Sequence, residues 1–146
     1  MQKRLNGNCH CGAIRVALTK EENASLSPRH CGCDFCQRHG ALYVSVPSGQ
    51  LTITLAEPDC VGRYRFGHET ATFLLCQRCG VLAAATCELE GQLFAVLNAN
   101  VLAPPLTVDK GSVPVADYEA EDIDVRLVRR QQRWISRVTV VEGPPG

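Results

Sequence analysis

A mainly β fold with short helical segments is predicted by three observations on this chain. Val, Ile and Thr recur in short runs, Gly, Pro, Asn and Ser separate the runs, and one run alternates apolar with other residues. β-branched side chains suit a pleated, half-buried surface, and the separating residues turn a chain back on itself. The 146 residues fit one ordinary domain, long enough to bury about two thirds of its unfolded surface. A single domain over 1–146 is therefore expected.

The elements follow in order. In the run 13–19, Ile14, Val16 and Leu18 alternate with Arg15 and Ala17, so this strand offers one face to a core. Further strands are expected at 41–46, 51–55, 61–66, 70–75, 81–86 and 93–97. Ala103-Pro104-Pro105 interrupts the pattern, and Asp109-Lys110-Gly111-Ser112 has the composition of a turn. A helix is expected over 122–133 with Val125 and Val128 facing inward. Arg129, Arg130 and Arg133 fall in its last turns, where the helix dipole favours cations. Residues 135–141 read as a closing strand and 142–146 as a frayed tail.

Composition narrows the function. Lys plus Arg is 15 and Asp plus Glu is 15, a net charge of zero, which argues against a general nucleic-acid or polybasic membrane binder. Apolar content of 45% with 21% charged residues fits a folded protein rather than a disordered one. No stretch approaches the roughly 20 apolar residues of a membrane span. The first seven residues carry basic side chains without the apolar region of a secretory signal. A cytoplasmic setting is expected, where thiols stay reduced and clustered cysteines serve as metal ligands or reactive groups.

Seven of the nine cysteines fall into three groups: Cys9-His10-Cys11-Gly12, Cys31-Gly32-Cys33-Asp34-Phe35-Cys36 and Cys76-Gln77-Arg78-Cys79-Gly80. In extended chain, alternate side chains point the same way, so a C-x-C can offer two sulfurs to one ion. A C-x-x-C-G knuckle does so through a tight turn that its glycine permits. Zinc takes four ligands in structural sites. One C-x-C plus one C-x-x-C meets that number, which makes Cys9, Cys11, Cys76 and Cys79 the natural tetrathiolate. Cys31, Cys33 and Cys36 then hold a second zinc with an open fourth position, the arrangement of catalytic sites. The alternative is that His30, His39, Cys60 or Cys87 fills that position and the site is structural. An iron–sulfur cluster also takes thiolates, but these spacings do not match ferredoxin runs.

The remaining candidates each carry an ordinary reading beside a functional one. His10, between two ligand cysteines on an extended segment, points away from the metal. His30 adjoins Cys31 and can orient a ligand, and His39 is the best histidine for acid–base work. Cys60 and Cys87 are isolated and read as small buried hydrophobes. Phe35 walls a pocket or anchors packing. Arg129, Arg130 and Arg133 could clamp a carboxylate, but a solvated helix face is the favoured reading. Asn98 and Asn100 read as turn residues.

The order of Gly7-Asn8-Cys9-His10-Cys11-Gly12-Ala13, the stretch from Cys31 to Ala41, and Leu75-Cys76-Gln77-Arg78-Cys79-Gly80 resembles the glutathione-dependent formaldehyde-activating (GFA) family, which includes centromere protein V. The resemblance spans residues 5–97 and leaves 103–146 as a carboxy-terminal extension. Where the family commonly has Arg directly after the third cysteine of the triplet, this chain has Gln37, with Arg38 next. The resemblance implies a tent of antiparallel sheets, a structural zinc on the first and third groups and a catalytic zinc on the triplet. It also implies a carbon–sulfur lyase similar to S-(hydroxymethyl)glutathione synthase, with glutathione or another small thiol as substrate. A non-catalytic, zinc-stapled protein-binding module is the alternative. Neither nucleic acid nor membrane is expected as a partner.

Overall fold

A computed structural model describes residues 1–109, 111–118 and 120–143. In chain order the elements are β1 (Gln2–Asn8), β2 (Ile14–Glu21), β3 (Arg29–Cys31), α1 (Asp34–His39), β4 (Leu42–Val44), β5 (Gln50–Leu55), β6 (Val61–Tyr64), β7 (Thr72–Cys76), β8 (Leu82–Leu89), β9 (Gln92–Asn98), β10 (Val115–Ala116), α2 (Ile123–Arg133) and β11 (Arg137–Glu142). They build a four-stranded sheet, β1-β2-β5-β11, and a seven-stranded sheet, β10-β3-β4-β9-β8-β7-β6. The fold is mainly β, and neighbours are antiparallel except β11 on β5 and β10 on β3. No helix among the described residues is long and apolar enough to cross a membrane.

The alternation in β2 puts Ile14, Val16 and Leu18 in the core and leaves Arg15 outside. Leu51, Ile53 and Leu55 of β5 join them, and Val44, Leu74, Ala84 and Leu97 of the larger sheet belong to the same cluster. Each fully buried Val, Leu or Ile side chain contributes about 1.5–3 kcal/mol relative to exposure. The larger sheet is covered on its other face too. There Tyr43, Ala85, Phe94 and Val96 pack with Cys36 of α1 and with Leu127 and Trp134 at α2. This double coverage explains why the first six residues of β8 are all buried, a pattern of strands without a solvent face.

β1, β3, β10 and α1 were not foreseen. β1 has one apolar side chain, Leu5, and is held by its ladder to β2, from Gln2 opposite Glu21 to Asn8 opposite Arg15. Its polar residues mark a sheet edge. Gly7 is required there, because a Cβ would overlap the carbonyl oxygen of Val101. Expected strands appear with shifted ends, 41–46 shortening to β4 and 135–141 moving to β11.

α2 lies where the sequence put it, with Asp122 Oδ1 accepting the Val125 N–H at 2.9 Å as its cap, but its inward face is different. Val125 and Val128 are 53% and 51% exposed, while Arg130 is only 9% exposed. Trp134, just past the helix end, is buried against the larger sheet, and counting back four and seven residues brings Arg130 and Leu127 to that side. The anchoring indole sets the rotation, and the two valines are left outside. Ile135 bridges Ala95 of β9 before the chain enters the smaller sheet as β11. The Asp109 turn closes with Ser112 N–H on the Asp109 carbonyl at 2.9 Å, with Lys110 itself outside the described residues. Of the expected tail, Glu142 belongs to β11 and residues 144–146 lie outside the described residues.

Candidate metal centres and the cleft beside them

Cys9 and Cys11 sit in the connection between β1 and β2. The Cys9 N–H donates to Ile14 O at 2.9 Å and the Gly12 N–H to Cys9 O at 3.1 Å, so this C-x-C is a turn and not the extended segment expected. His10 lies on that turn, exposed. Cys76 ends β7, and the knuckle turns back with the Gly80 N–H on Cys76 O at 2.8 Å. Gly80 has φ +81°, a conformation that disfavours side chains. The Sγ atoms of Cys9, Cys11, Cys76 and Cys79 all lie within 4.8 Å of one another, with Cys9 to Cys11 at 3.8 Å and Cys11 to Cys76 at 3.4 Å. Zinc–sulfur bonds of about 2.3 Å give a tetrahedron with edges of about 3.8 Å, so the donor set fits zinc. These separations are far beyond a disulfide, about 2.05 Å.

Backbone amides donate to the buried sulfurs: Ile14 N–H on Cys9 at 3.3 Å and Cys79 N–H on Cys76 at 3.4 Å. Burial pushes the Cys9 thiol up and Cys76 up to about 11. At Cys79 burial also opposes ionisation, but the amides of Cys11 and Val81 and the neighbouring thiols outweigh it and bring the thiol down to about 6. Close-packed thiolates repel one another, and a divalent cation supplies the charge that lets all four ionise.

The second group is divided between two elements. Cys31 ends β3, which β10 holds in place through Gly32 N–H on Ala116 O at 2.8 Å. Cys33 caps α1, its Sγ accepting the Cys36 N–H at 3.4 Å, and Cys36 is buried in the helix. The three Sγ atoms lie within 4.8 Å of one another, and among the described residues no other His, Cys, Asp or Glu completes the group. A hydrogen bond from the Cys36 thiol, outweighing burial, lowers Cys31 to about 6. The same shared proton, with burial, raises Cys36, and burial raises Cys33. The Tyr43 hydroxyl, held protonated by burial, lies 3.2 Å from Cys36 Sγ.

The four expected candidates for the fourth ligand are placed elsewhere. His30 Nδ1 donates to Ala41 O at 2.9 Å, which fixes its tautomer. His39 stacks on Phe35 with centroids 4.7 Å apart. Cys60 Sγ accepts from Arg78 at 3.2 Å, and Cys87 Sγ lies 3.6 Å from an Arg130 nitrogen. Asn98 holds the sheet, accepting from Leu42 N–H at 3.2 Å and donating to Leu82 O at 2.8 Å, while Asn100 donates to Gly40 O.

Cys31 and Cys33 open onto a cleft of about 500 Å³ between α1, α2 and the β6–β7 hairpin. Phe35, Tyr64, Phe66 and Phe73 form its apolar wall, with centroids 4.8–5.6 Å apart. The sequence signal for this wall was available: Tyr64 and Phe66 are two apart, and Tyr64 pairs with Phe73 across the hairpin. The opposite wall is cationic. Arg129 makes a two-pronged contact with Glu121 at 2.8 and 3.0 Å and lies over the Tyr118 ring at 3.5 Å, and Arg126 reaches Glu121 at 3.5 Å. Arg133 is exposed, but Arg129 and Arg130 are not the solvated face expected. A buried guanidinium such as Arg130 costs several kcal/mol in lost hydration unless other groups offset it.

A crystal structure of a Rhodobacter sphaeroides protein, a structural genomics target, is similar to this chain at 25% identity with a TM-score of 0.58, over 80% of this chain and 100% of that one. A family model, described as glutathione-dependent formaldehyde-activating enzyme, matches residues 4–116, a span that contains both cysteine groups and ends on β10, the strand beside Cys31. The chain thus belongs to the glutathione-dependent formaldehyde-activating enzyme family.

Proposed function

We propose that the protein is a zinc-dependent carbon–sulfur lyase acting on a thiol–aldehyde adduct, similar to S-(hydroxymethyl)glutathione synthase, with glutathione as candidate thiol. The observation that carries this reading is the contrast between the two groups. Four sulfurs gather at one, whereas three sulfurs gather at the other beside a cleft. Four ligands close a structural site, and a catalytic site keeps one position free. On this reading Cys9, Cys11, Cys76 and Cys79 hold a structural zinc, and Cys31, Cys33 and Cys36 a catalytic one. Zinc at the triplet would lower the pKa of an incoming thiol toward neutrality.

In the forward direction a carbon–sulfur bond forms as the sulfur lone pair attacks the aldehyde carbon. The carbonyl π pair moves to oxygen, and the proton lost from sulfur ends there. Cleavage is the reverse, and nothing is oxidised or reduced. Tyr43 steadies the Cys36 sulfur, Phe35 and Phe73 keep water from the reacting atoms, and the guanidinium groups of the opposite wall draw anionic thiols. None of the nine cysteines is in a disulfide, which suits the reducing cytoplasm.

Exchange NMR of glutathione and formaldehyde with the zinc-loaded protein tests the reading. Interconversion with S-(hydroxymethyl)glutathione should exceed the spontaneous rate and fall to it in Cys33→Ser. Zinc-loaded protein that neither binds glutathione nor alters the rate removes the formaldehyde activity.

A further inference from the structure

Arg130 lies beyond the residues matched by the family, in a part of the cleft supplied by α2. Its neighbours Arg126 and Arg129 share the carboxylate of Glu121. The partners of Arg130 are Thr70 Oγ1 at 2.8 Å, the Cys87 sulfur at 3.6 Å and the Trp134 ring at 4.9 Å. Its Nε is buried with no hydrogen-bond partner, and no carboxylate among the described residues pairs with it. A guanidinium keeps its proton in a protein, and two further cations stand beside this one. Among the described residues Arg130 is thus a buried cation without an acidic partner. Across the cleft, Phe66 and Phe73 stack at 5.2 Å and present a continuous apolar surface.

Resting on the lyase reading of this cleft, we infer that its thiol substrate is an amphipathic anion, with a carboxylate against Arg130 and an apolar body of aromatic size along Phe66 and Phe73. Glutathione, polar along its whole length, meets only the first requirement.

The test is calorimetry on the zinc-loaded full chain with five probes: 4-(mercaptomethyl)benzoate, its carboxamide, 4-methylbenzoate, 4-methylbenzamide and glutathione. Hydrogen bonds to charged groups predict that the carboxylate thiol binds about 10- to 100-fold more tightly than the carboxamide. The Arg130→Gln variant should erase that ratio, and Arg130→Lys should restore part of it. Glutathione should bind about ten-fold more weakly than the aryl thiol. Equal affinity for carboxylate and carboxamide in the unaltered protein overturns the inference. That comparison decides the matter even if Arg130→Gln fails to fold. A carboxylate preference that survives Arg130→Gln also overturns it, and glutathione binding as tightly as the aryl thiol overturns the apolar half. Because 4-methylbenzoate has no sulfur, a preference for it over 4-methylbenzamide that depends on Arg130 sustains the anchor even when exchange NMR finds no lyase activity. The converse result leaves the lyase and removes the anchor.

Discussion

The Sγ atoms of Cys11 and Cys76 lie 3.4 Å apart although 65 positions separate them in the chain. Cys11 belongs to the turn that feeds β2 in the smaller sheet, and Cys76 ends β7 in the larger one. Their contact therefore joins the two sheets where the core between them ends. A link that closes so long a loop withdraws much freedom from the unfolded chain, and a metal held there contributes its binding energy to folding.

Replacing one sulfur in each group should separate their roles. Structural zinc sites contribute about 10–16 kcal/mol of apparent binding energy, comparable to the whole stability of a domain, about 5–15 kcal/mol. Cys79→Ser should therefore unfold the protein or lower its thermal midpoint severely. Cys33→Ser should keep the fold, because serine is itself a good helix cap and α1 retains an acceptor for the Cys36 N–H. Circular dichroism melts of the two variants provide the comparison, and equal losses would reverse the assignment.

Two zinc ions of unequal lability should be present. The triplet offers three sulfurs and the other group four, so a chelator should remove the triplet's ion first, with the fold intact until the second leaves. Metal analysis during the titration checks this. One equivalent or less after reconstitution, or the absorption of an iron–sulfur cluster, speaks against it.

The cysteine spacing made the site legible because close spacing in sequence confines side chains to one neighbourhood whatever the fold. It did not reveal that Cys9-His10-Cys11 is a turn, since two sulfurs can converge from a strand or a turn alike. The helix around Cys36 was missed because six residues, Asp34–His39, are too few to show a periodicity. β1 was missed because hydrogen bonds to β2, not an apolar face, define it. α2 was found by its cap and composition but rotated wrongly: apolar pattern turned Val125 inward, whereas the anchored Trp134 turns Arg130 inward. The cationic wall of the cleft depends on that rotation, which the sequence pattern could not supply.

Tyr43→Phe should loosen the metal at the triplet while sparing the other centre. The change removes one hydroxyl, the partner of Cys36 Sγ at 3.2 Å, and leaves the packed ring. Stability should fall by about 1 kcal/mol. Loss of a hydrogen bond to a metal ligand typically lowers affinity about 10- to 100-fold. Competition with a chelator should show this for the labile ion alone, and unchanged affinity would mean that the hydroxyl does not support Cys36.

Glu121 should make the α2 wall sensitive to acid. Its carboxyl is held below the usual carboxylate range by the Arg129 hydrogen bonds, which outweigh burial, with Arg126 adding to them. A group whose folded pKa lies below its unfolded value, about 4.3 for Glu, adds stability that is complete above the unfolded pKa. That stability is lost as the pH falls through the folded pKa. Glu121→Gln should thus be less stable than the unaltered protein near neutral pH, by about 2 kcal/mol for a mostly buried charged pair. The difference should hold down to about pH 5 and shrink as the pH drops through 4.3 toward the lower folded value. Urea titrations of both proteins across this range measure it. A gap that stays constant into the acid range would show that the Glu121 charge adds nothing to stability, and that shape alone holds Arg129 in place.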